Sequence, residues 1–146
     1  MPMELEITNQ LKIYLSGPIF SQAEIEWARR VKGLIEESFA SRVEVIWPHE
    51  IASGPPENIF RENLRALDQC PIVIAILDGP QVDDGTAWEV GYHYARGGQV
   101  LGIRTDFRNA GEAPQSRANA MIEFSCTCIV SSMDQLLLKL KELLEI

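Results

Sequence analysis

The 146-residue sequence predicts an α/β protein built on a doubly wound, five-stranded parallel sheet with helices on both faces. Three observations predict it. Short apolar runs alternate with segments whose apolar residues recur at helical spacing. One run, Pro71 to Leu77 (PIVIAIL), is apolar almost throughout, as a central parallel strand covered on both faces must be. The first three runs stop at Gly17-Pro18, at Pro48 and at Asp78-Gly79, residues that turn a chain.

The elements follow in order. Lys12 to Ser16 (KIYLS) reads as a buried strand. From about Ser21 to Phe39, Ile25, Ala28, Val31, Leu34 and Ile35 recur at helical spacing. Val43 to Trp47 is the second strand, and a polar loop with Gly54-Pro55-Pro56 leads to a helix over Glu57 to Gln69. After the third strand, Asp78 to Asp84 is a loop and Gly85 to Arg96 a helix. Gln99 to Ile103 is the fourth strand, and Ser116 to Ile122 a short helix after irregular chain. Cys126 to Val130 is the fifth strand, and Met133 to Leu144 an amphipathic helix. Five strands in one domain, residues 1–146, suit a flavodoxin-like sheet of order 2-1-3-4-5 with right-handed crossovers. Ligands of such sheets bind beyond the carboxyl ends of the strands, at the switch point between strands 1 and 3. That rule selects Ser16-Gly17-Pro18, Asp78 to Glu89, and the loop after Arg104.

Composition narrows the function. Thirteen Lys and Arg against 21 Asp and Glu leave a net charge of −8, which repels phosphate backbones and anionic lipid, so nucleic-acid and membrane-surface roles are disfavoured. A small neutral ligand feels little of that field. No apolar run approaches the ~18 residues needed to span a bilayer. The start, MPMELEITNQ, lacks the basic and apolar regions of a signal peptide. Cys70, Cys126 and Cys128 form no CxxC pair, which suits a reducing compartment and a cytoplasmic location. Cys126 and Cys128 read as two small core residues on one side of a strand. Only two His are present, His49 and His93, with no matching ligand set, so no metal site is expected.

The chemistry concentrates in Asp83-Asp84-Gly85-Thr86-Ala87-Trp88-Glu89-Val90-Gly91. This stretch follows the most buried strand and opens a helix. Asp84 is placed as an N-cap, and Gly85 lets a ligand approach the backbone closely. Glu89 lies just over one turn in, where the positive helix end favours its ionised form. An ionised carboxylate beside a low-dielectric cleft is what a glycosidic nucleophile must be. Asp83 is placed to hydrogen-bond a base and help protonate it as it leaves. Acidic residues in a first helical turn also serve as plain caps and dipole partners, and only the location at the crevice favours chemistry. In Tyr14-Leu15-Ser16-Gly17-Pro18-Ile19-Phe20, Gly17 permits a tight turn, Phe20 can cover a heterocycle, and Tyr14 can reach the nucleophile. Taken alone, either aromatic reads better as core. On the helix from Gly85, the residues Ala87, Val90, Gly91, Tyr94 and Ala95 share a face, while Trp88 and Tyr92 fall elsewhere. A helix apolar almost all round needs cover on both sides, which a second subunit would supply.

Together these segments resemble the nucleoside 2-deoxyribosyltransferase family, over about Lys12 to Phe124. The strand-1 pattern stands as Tyr14, Gly17-Pro18 and Phe20, and the signature D-x-G-T-x-x-E-x-G as Asp83 to Gly91. The resemblance implies that Glu89 attacks C1′, that Asp83 binds and protonates the base, and that Tyr14 positions the nucleophile. It further implies that Asn63 binds the base, and that Asn119-Ala120-Met121 contacts the sugar 5′-hydroxyl from a neighbouring subunit. Ser16, Gly17, Phe20 and Gly85 complete the expected substrate contacts. The implied reaction moves a 2-deoxyribosyl group between nucleobases by a retaining double displacement, in a homo-oligomer with shared sites and without metal or other cofactor.

Some relatives that hydrolyse nucleoside 5′-monophosphates carry a serine where Asn119 stands, so Asn119 leans towards a free 5′-hydroxyl. Ser116 and Arg117 nevertheless lie near enough in sequence to serve a phosphate. A deoxynucleoside-monophosphate N-glycosidase is therefore the alternative. A phosphoribohydrolase is disfavoured by the missing paired glycines of PGGxGTxxE. A phospho-receiver is disfavoured because strand 1 ends in Ser16-Gly17 and Ser131-Ser132, not Lys, follow strand 5. A non-catalytic nucleoside-binding module would show the same groups.

Overall fold

The computed structural model describes residues 10–145, so the opening segment that bears on a signal peptide lies outside the described residues. Five strands alternate with helices: β1 (Leu11–Ser16), α1 (Gln22–Phe39), β2 (Val43–Ile46), α2 (Pro48–Ile51), α3 (Pro56–Asp68), β3 (Ile72–Ile76), α4 (Asp84–Ala95), β4 (Gln99–Ile103), α5 (Ala120–Glu123), β5 (Cys128–Val130) and α6 (Met133–Leu144). All four strand pairings are parallel, and the sheet order is β2-β1-β3-β4-β5, as the alternation predicts. Val73 of β3 stands beside Tyr14 of β1 on one side and Val100 of β4 on the other.

The period-2 alternation of the strands sorts their side chains into two cores. Ile13, Leu15, Ile72, Ile74, Leu101 and Ile103 pack with Ala28, Val31 and Ile35 of α1 and Leu136 and Leu140 of α6. On the other face, Tyr14, Val73, Ala75 and Val100 pack with Leu67 of α3, Val90 of α4 and Ile122 of α5. Each face of β3 is thus covered, and all five of its residues are buried. No helix among the described residues is long and apolar enough to cross a membrane.

Three local expectations need correction. The chain after β2 is not all loop: Pro48 at the first helical position starts the single turn α2. The helix expected from Ser116 shrinks to Ala120–Glu123, because Asn119 caps it by accepting from the Ile122 amide at 3.1 Å. Cys126 precedes β5 and so does not alternate with Cys128. Cys126 packs on the Tyr14 side of the sheet and Cys128 on the Ile13 side. Burial pushes the Cys126 thiol up to about 12, so it is a protonated packing residue.

Candidate active site

The site is built at the carboxyl edge of β1 and β3, over the face covered by α3 and α4. β1 supplies Tyr14 and Ser16 two residues apart, hence on the same face, and both are fully buried. The tight exit after Ser16 depends on Gly17, because a Cβ there would stand 2.9 Å from the Ile76 Cβ of β3. Opposite, α4 begins after β3 with Asp83 as its N-cap, not Asp84. One Asp83 carboxylate oxygen accepts from the Thr86 amide at 3.0 Å and the Thr86 hydroxyl at 3.1 Å. Asp84 instead is the exposed first residue of the helix.

That start sets the phase of α4. Thr86, Val90 and His93 face the sheet and are buried, and Glu89 lies on the same side over the β1 edge. The Tyr14 hydroxyl donates to Glu89 Oε2, and the Ser16 hydroxyl donates to Glu89 Oε1 at 2.7 Å. Each oxygen of the carboxylate thus holds one hydroxyl from β1. Burial pushes the Glu89 carboxyl above the usual glutamate range. The two hydroxyl bonds oppose that shift, and the nearby Asp83 charge adds to it. The positive end of α4 acts in the opposite direction. A helix terminus contributes about 0.3–1 kcal/mol and fades beyond the first turn, whereas burying a carboxylate moves its pKa by whole units. Burial of the Tyr14 phenol, with Glu89 beside it, raises its pKa too, so Tyr14 stays a hydrogen-bond donor.

In front of Glu89 opens a cavity of about 280 Å³ lined by Gly17, Ile19, Trp47, Pro48, Phe60, Asn63, Leu64, Leu67, Asp83, Gly85, Trp88 and Glu89. Of the residues expected to touch substrate, Gly17, Asn63 and Gly85 line it, together with Asp83 and Glu89. Tyr14 and Ser16 stand behind the carboxylate and reach the cavity through it. The buried Oδ1 of Asn63 has no hydrogen-bond partner among the described residues. Phe20 is 78% exposed and Met121 81% exposed, and neither lines the cavity. Asn119, also exposed, borders a separate depression with Pro80, Gln81 and Val82. The structure therefore brings together five expected residues and their two supports, and leaves Phe20, Asn119 and Met121 outside this chain's own cavity.

Of the aromatic walls, Trp47 and Phe60 lie outside the three segments that the carboxyl-edge rule selects from the sequence. Trp47 and Pro48 follow β2, so the carboxyl-edge rule, applied to every strand, would have found them. Phe60, Asn63, Leu64 and Leu67 follow the i, i+3, i+4, i+7 spacing that marks one face of α3. Phe60 meets Trp88 edge-on at 5.8 Å, and Trp88 stacks on Tyr92 at 5.2 Å. Trp88 is thereby held as a wall of the cavity.

Behind the loop that delivers Asp83 lies Arg104, another residue whose role the sequence conceals. It is 1% exposed, and its guanidinium donates to the carbonyls of Leu77 and, at 2.9 Å, Gly79. Arg117 in turn donates to the Arg104 carbonyl at 3.0 Å and to the Ser131 hydroxyl at 2.9 Å. The Ser116 hydroxyl accepts from the Ala113 amide at 3.1 Å. Both residues considered for phosphate binding are thus engaged in holding loops, and no Lys or Arg lines the cavity. His93 is structural: its Nε2 sits 3.1 Å from the Pro71 carbonyl, with Gly98 against the ring, and burial lowers its pKa. The face expected to unite Val90 with Tyr94 divides, since Val90 is buried and Tyr94 is 58% exposed.

Known proteins share this fold. An uncharacterised protein of Ureaplasma parvum serovar 3 is 33% identical over 101 residues, a match spanning 61% of this chain and 63% of that protein. Similar solved structures include a conserved protein of Enterococcus faecalis V583, with TM-score 0.74 and 25% identity over 91% of this chain and 98% of that one. The 2-deoxyribosyltransferase of Bacillus psychrosaccharolyticus has TM-score 0.69 and 22% identity over 86% of this chain and 90% of that one. That of Leishmania mexicana has TM-score 0.72 and 23% identity over 90% and 97%. These last two likenesses are of fold. The family model for nucleoside 2-deoxyribosyltransferase matches residues 13–121, from within β1 through the start of α5, and the chain belongs to that family.

Proposed function

We propose that this protein transfers the 2-deoxyribosyl group between nucleobases through a covalent ester on Glu89. The observation that carries the reading is a carboxylate held on both oxygens by buried hydroxyls, at the wall of an aromatic-lined cavity. In the first step an oxygen lone pair of Glu89 forms a bond to C1′. The C1′–N bond breaks, its electron pair goes to the base nitrogen, and Asp83 aids the base's protonation. In the second step an acceptor base attacks C1′ from the vacated side. The C1′–O pair then returns to Glu89, and the β configuration is restored. Asp83 has a spare oxygen for this proton work, because only one of its two is spent on Thr86. Asn63 and the walls Phe60, Trp47 and Trp88 suit a flat heterocycle, while Gly17 and Gly85 let the sugar approach the backbone.

Phe20, Asn119 and Met121 belong to the proposal as groups offered to a second copy of the chain, in a cytoplasmic homo-oligomer serving nucleoside salvage. Phe20 and Met121 are exposed, as are Trp88, Tyr94 and Phe124, and they offer apolar surface for a second subunit to cover.

Incubation with a 2′-deoxynucleoside, with and without a second free base, tests the reading, with Glu89→Ala as control. A new deoxynucleoside formed only when the second base is present is the expected result. Release of base and sugar phosphate from a deoxynucleoside monophosphate alone would favour the N-glycosidase instead.

A further inference from the structure

We infer that Ser16 is a positioning residue whose hydroxyl keeps Glu89 a carboxylate rather than an ester, and so sets how fast the covalent intermediate breaks down. The inference rests on the transfer reading above and assigns Ser16 a task other than substrate contact. Ser16 is fully buried, does not line the cavity, and donates to Glu89 Oε1 at 2.7 Å. Its place at the last position of β1 fixes the hydroxyl rigidly, because the chain must turn at once at Gly17.

The chemistry follows from acceptor strength. A carboxylate oxygen accepts a charge-assisted hydrogen bond, about twice as strong as one to a neutral oxygen. When Glu89 bonds to C1′, one of its oxygens becomes an ester alkoxy oxygen and the other an ester carbonyl. Both are weaker acceptors than before, so the Ser16 bond loses strength whichever oxygen attacks. As the acceptor nitrogen forms its bond to C1′, the C1′–O pair returns to Glu89 and the bond regains that strength. The hydroxyl therefore stabilises the departing carboxylate in the second step and gives no matching help to attack in the first. Tyr14 acts on Oε2 in the same sense, so Glu89 is held as both nucleophile and leaving group. The titratable groups facing Glu89 are Tyr14 on β1 and Asp83 at the start of α4, while α3 presents the uncharged Asn63, Leu64 and Leu67. Among these, only Tyr14 and Ser16 oppose the effect of burial.

The test compares the wild-type chain with Ser16→Ala, which removes one buried oxygen, and Ser16→Cys, which keeps a weaker donor. Rapid mixing with a 2′-deoxynucleoside and a second base separates the first release of base from steady turnover. For Ser16→Ala the first release should stay within about threefold of wild type, while ester breakdown slows about tenfold, as expected for one lost charge-assisted bond. A burst should appear, and Ser16→Cys should fall between. Carbon-13 labelling of the glutamate carboxyls gives a second readout that needs no substrate: the Glu89 titration should move to higher pH in Ser16→Ala. Unchanged breakdown and an unchanged titration in a turning-over enzyme would overturn the role of Ser16 and leave the transfer reading intact. A wild-type protein without turnover would remove the transfer reading and the partitioning role together, even if the titration moved.

Discussion

Glu89 shows how one side chain can work against the fold that holds it. Its carboxylate is buried between α4 and β1, and the net effect on its pKa is upward. The unfolded chain therefore loses this proton first, from the ordinary value of 4.5 upward, and stability falls as pH rises through the window between that value and the folded one. Above the window the cost is fully present. Glu89→Gln should then raise the midpoint of thermal unfolding at pH 7, by a few degrees on the scale of such site residues, and lower base exchange by at least ~10³-fold. Differential scanning calorimetry and product chromatography check the two halves. On the proposed mechanism the same shift governs catalysis, because only the carboxylate would attack. The acid limb of the pH–rate profile should lie above 4.5, and an acid limb at or below it would show that the buried environment is not felt in the working enzyme.

At the scale of elements, the start of α4 joins a structural task to a proposed chemical one at Asp83. As N-cap it satisfies the Thr86 amide, and as a cavity residue it faces the same space as Glu89. Two substitutions separate the tasks. Asp83→Ala should cost about 1 kcal/mol of stability, whereas Asp83→Asn should keep the cap and the fold. Both should lose about 10²-fold or more in transfer, since neither retains a carboxyl group to manage the proton. Denaturant melts beside initial rates would show it, and full activity in Asp83→Asn would confine Asp83 to the cap. The strands and long helices were legible because their signals are local: the unbroken apolar run of β3, the spacing of α1 and α6, the stops at Gly17 and Pro48. The Asp83-to-Gly91 stretch was legible as a candidate site because the parallel-sheet rule locates it, and Asp83, Gly85, Trp88 and Glu89 line the cavity. Other features were not, for physical reasons. Which of Asp83 and Asp84 caps α4 depends on backbone direction leaving β3, and either side chain can cap. The hold of Ser16 on Glu89 spans 73 positions and no local pattern encodes it. Arg104 reads as an ordinary charged strand end until the loop of Leu77 to Gly79 folds over it.

At the scale of the whole molecule, the two cores leave the sheet's carboxyl edge open, with Phe20 and the α4–α5 edge bearing Trp88, Tyr94, Met121 and Phe124 exposed. A net charge of −8 resists unspecific association, so a contact made by these residues must be specific to be stable. If Asn119 serves a neighbouring site, Glu89→Ala and Asn119→Ala chains, each inactive alone, should regain part of the activity when mixed and allowed to exchange subunits. No recovery, with mixed assemblies demonstrated by mass, would confine each site to one chain. The central claim is the covalent use of Glu89, and it is tested most directly by mass spectrometry of the protein mixed with a 2′-deoxynucleoside in the absence of acceptor base, quenched in acid and digested. The account predicts a 2-deoxyribosyl adduct on the peptide containing Glu89, lost on adding a free base and absent from Glu89→Gln. Turnover with no adduct under rapid quench, or an adduct elsewhere that survives Glu89→Gln, would contradict it.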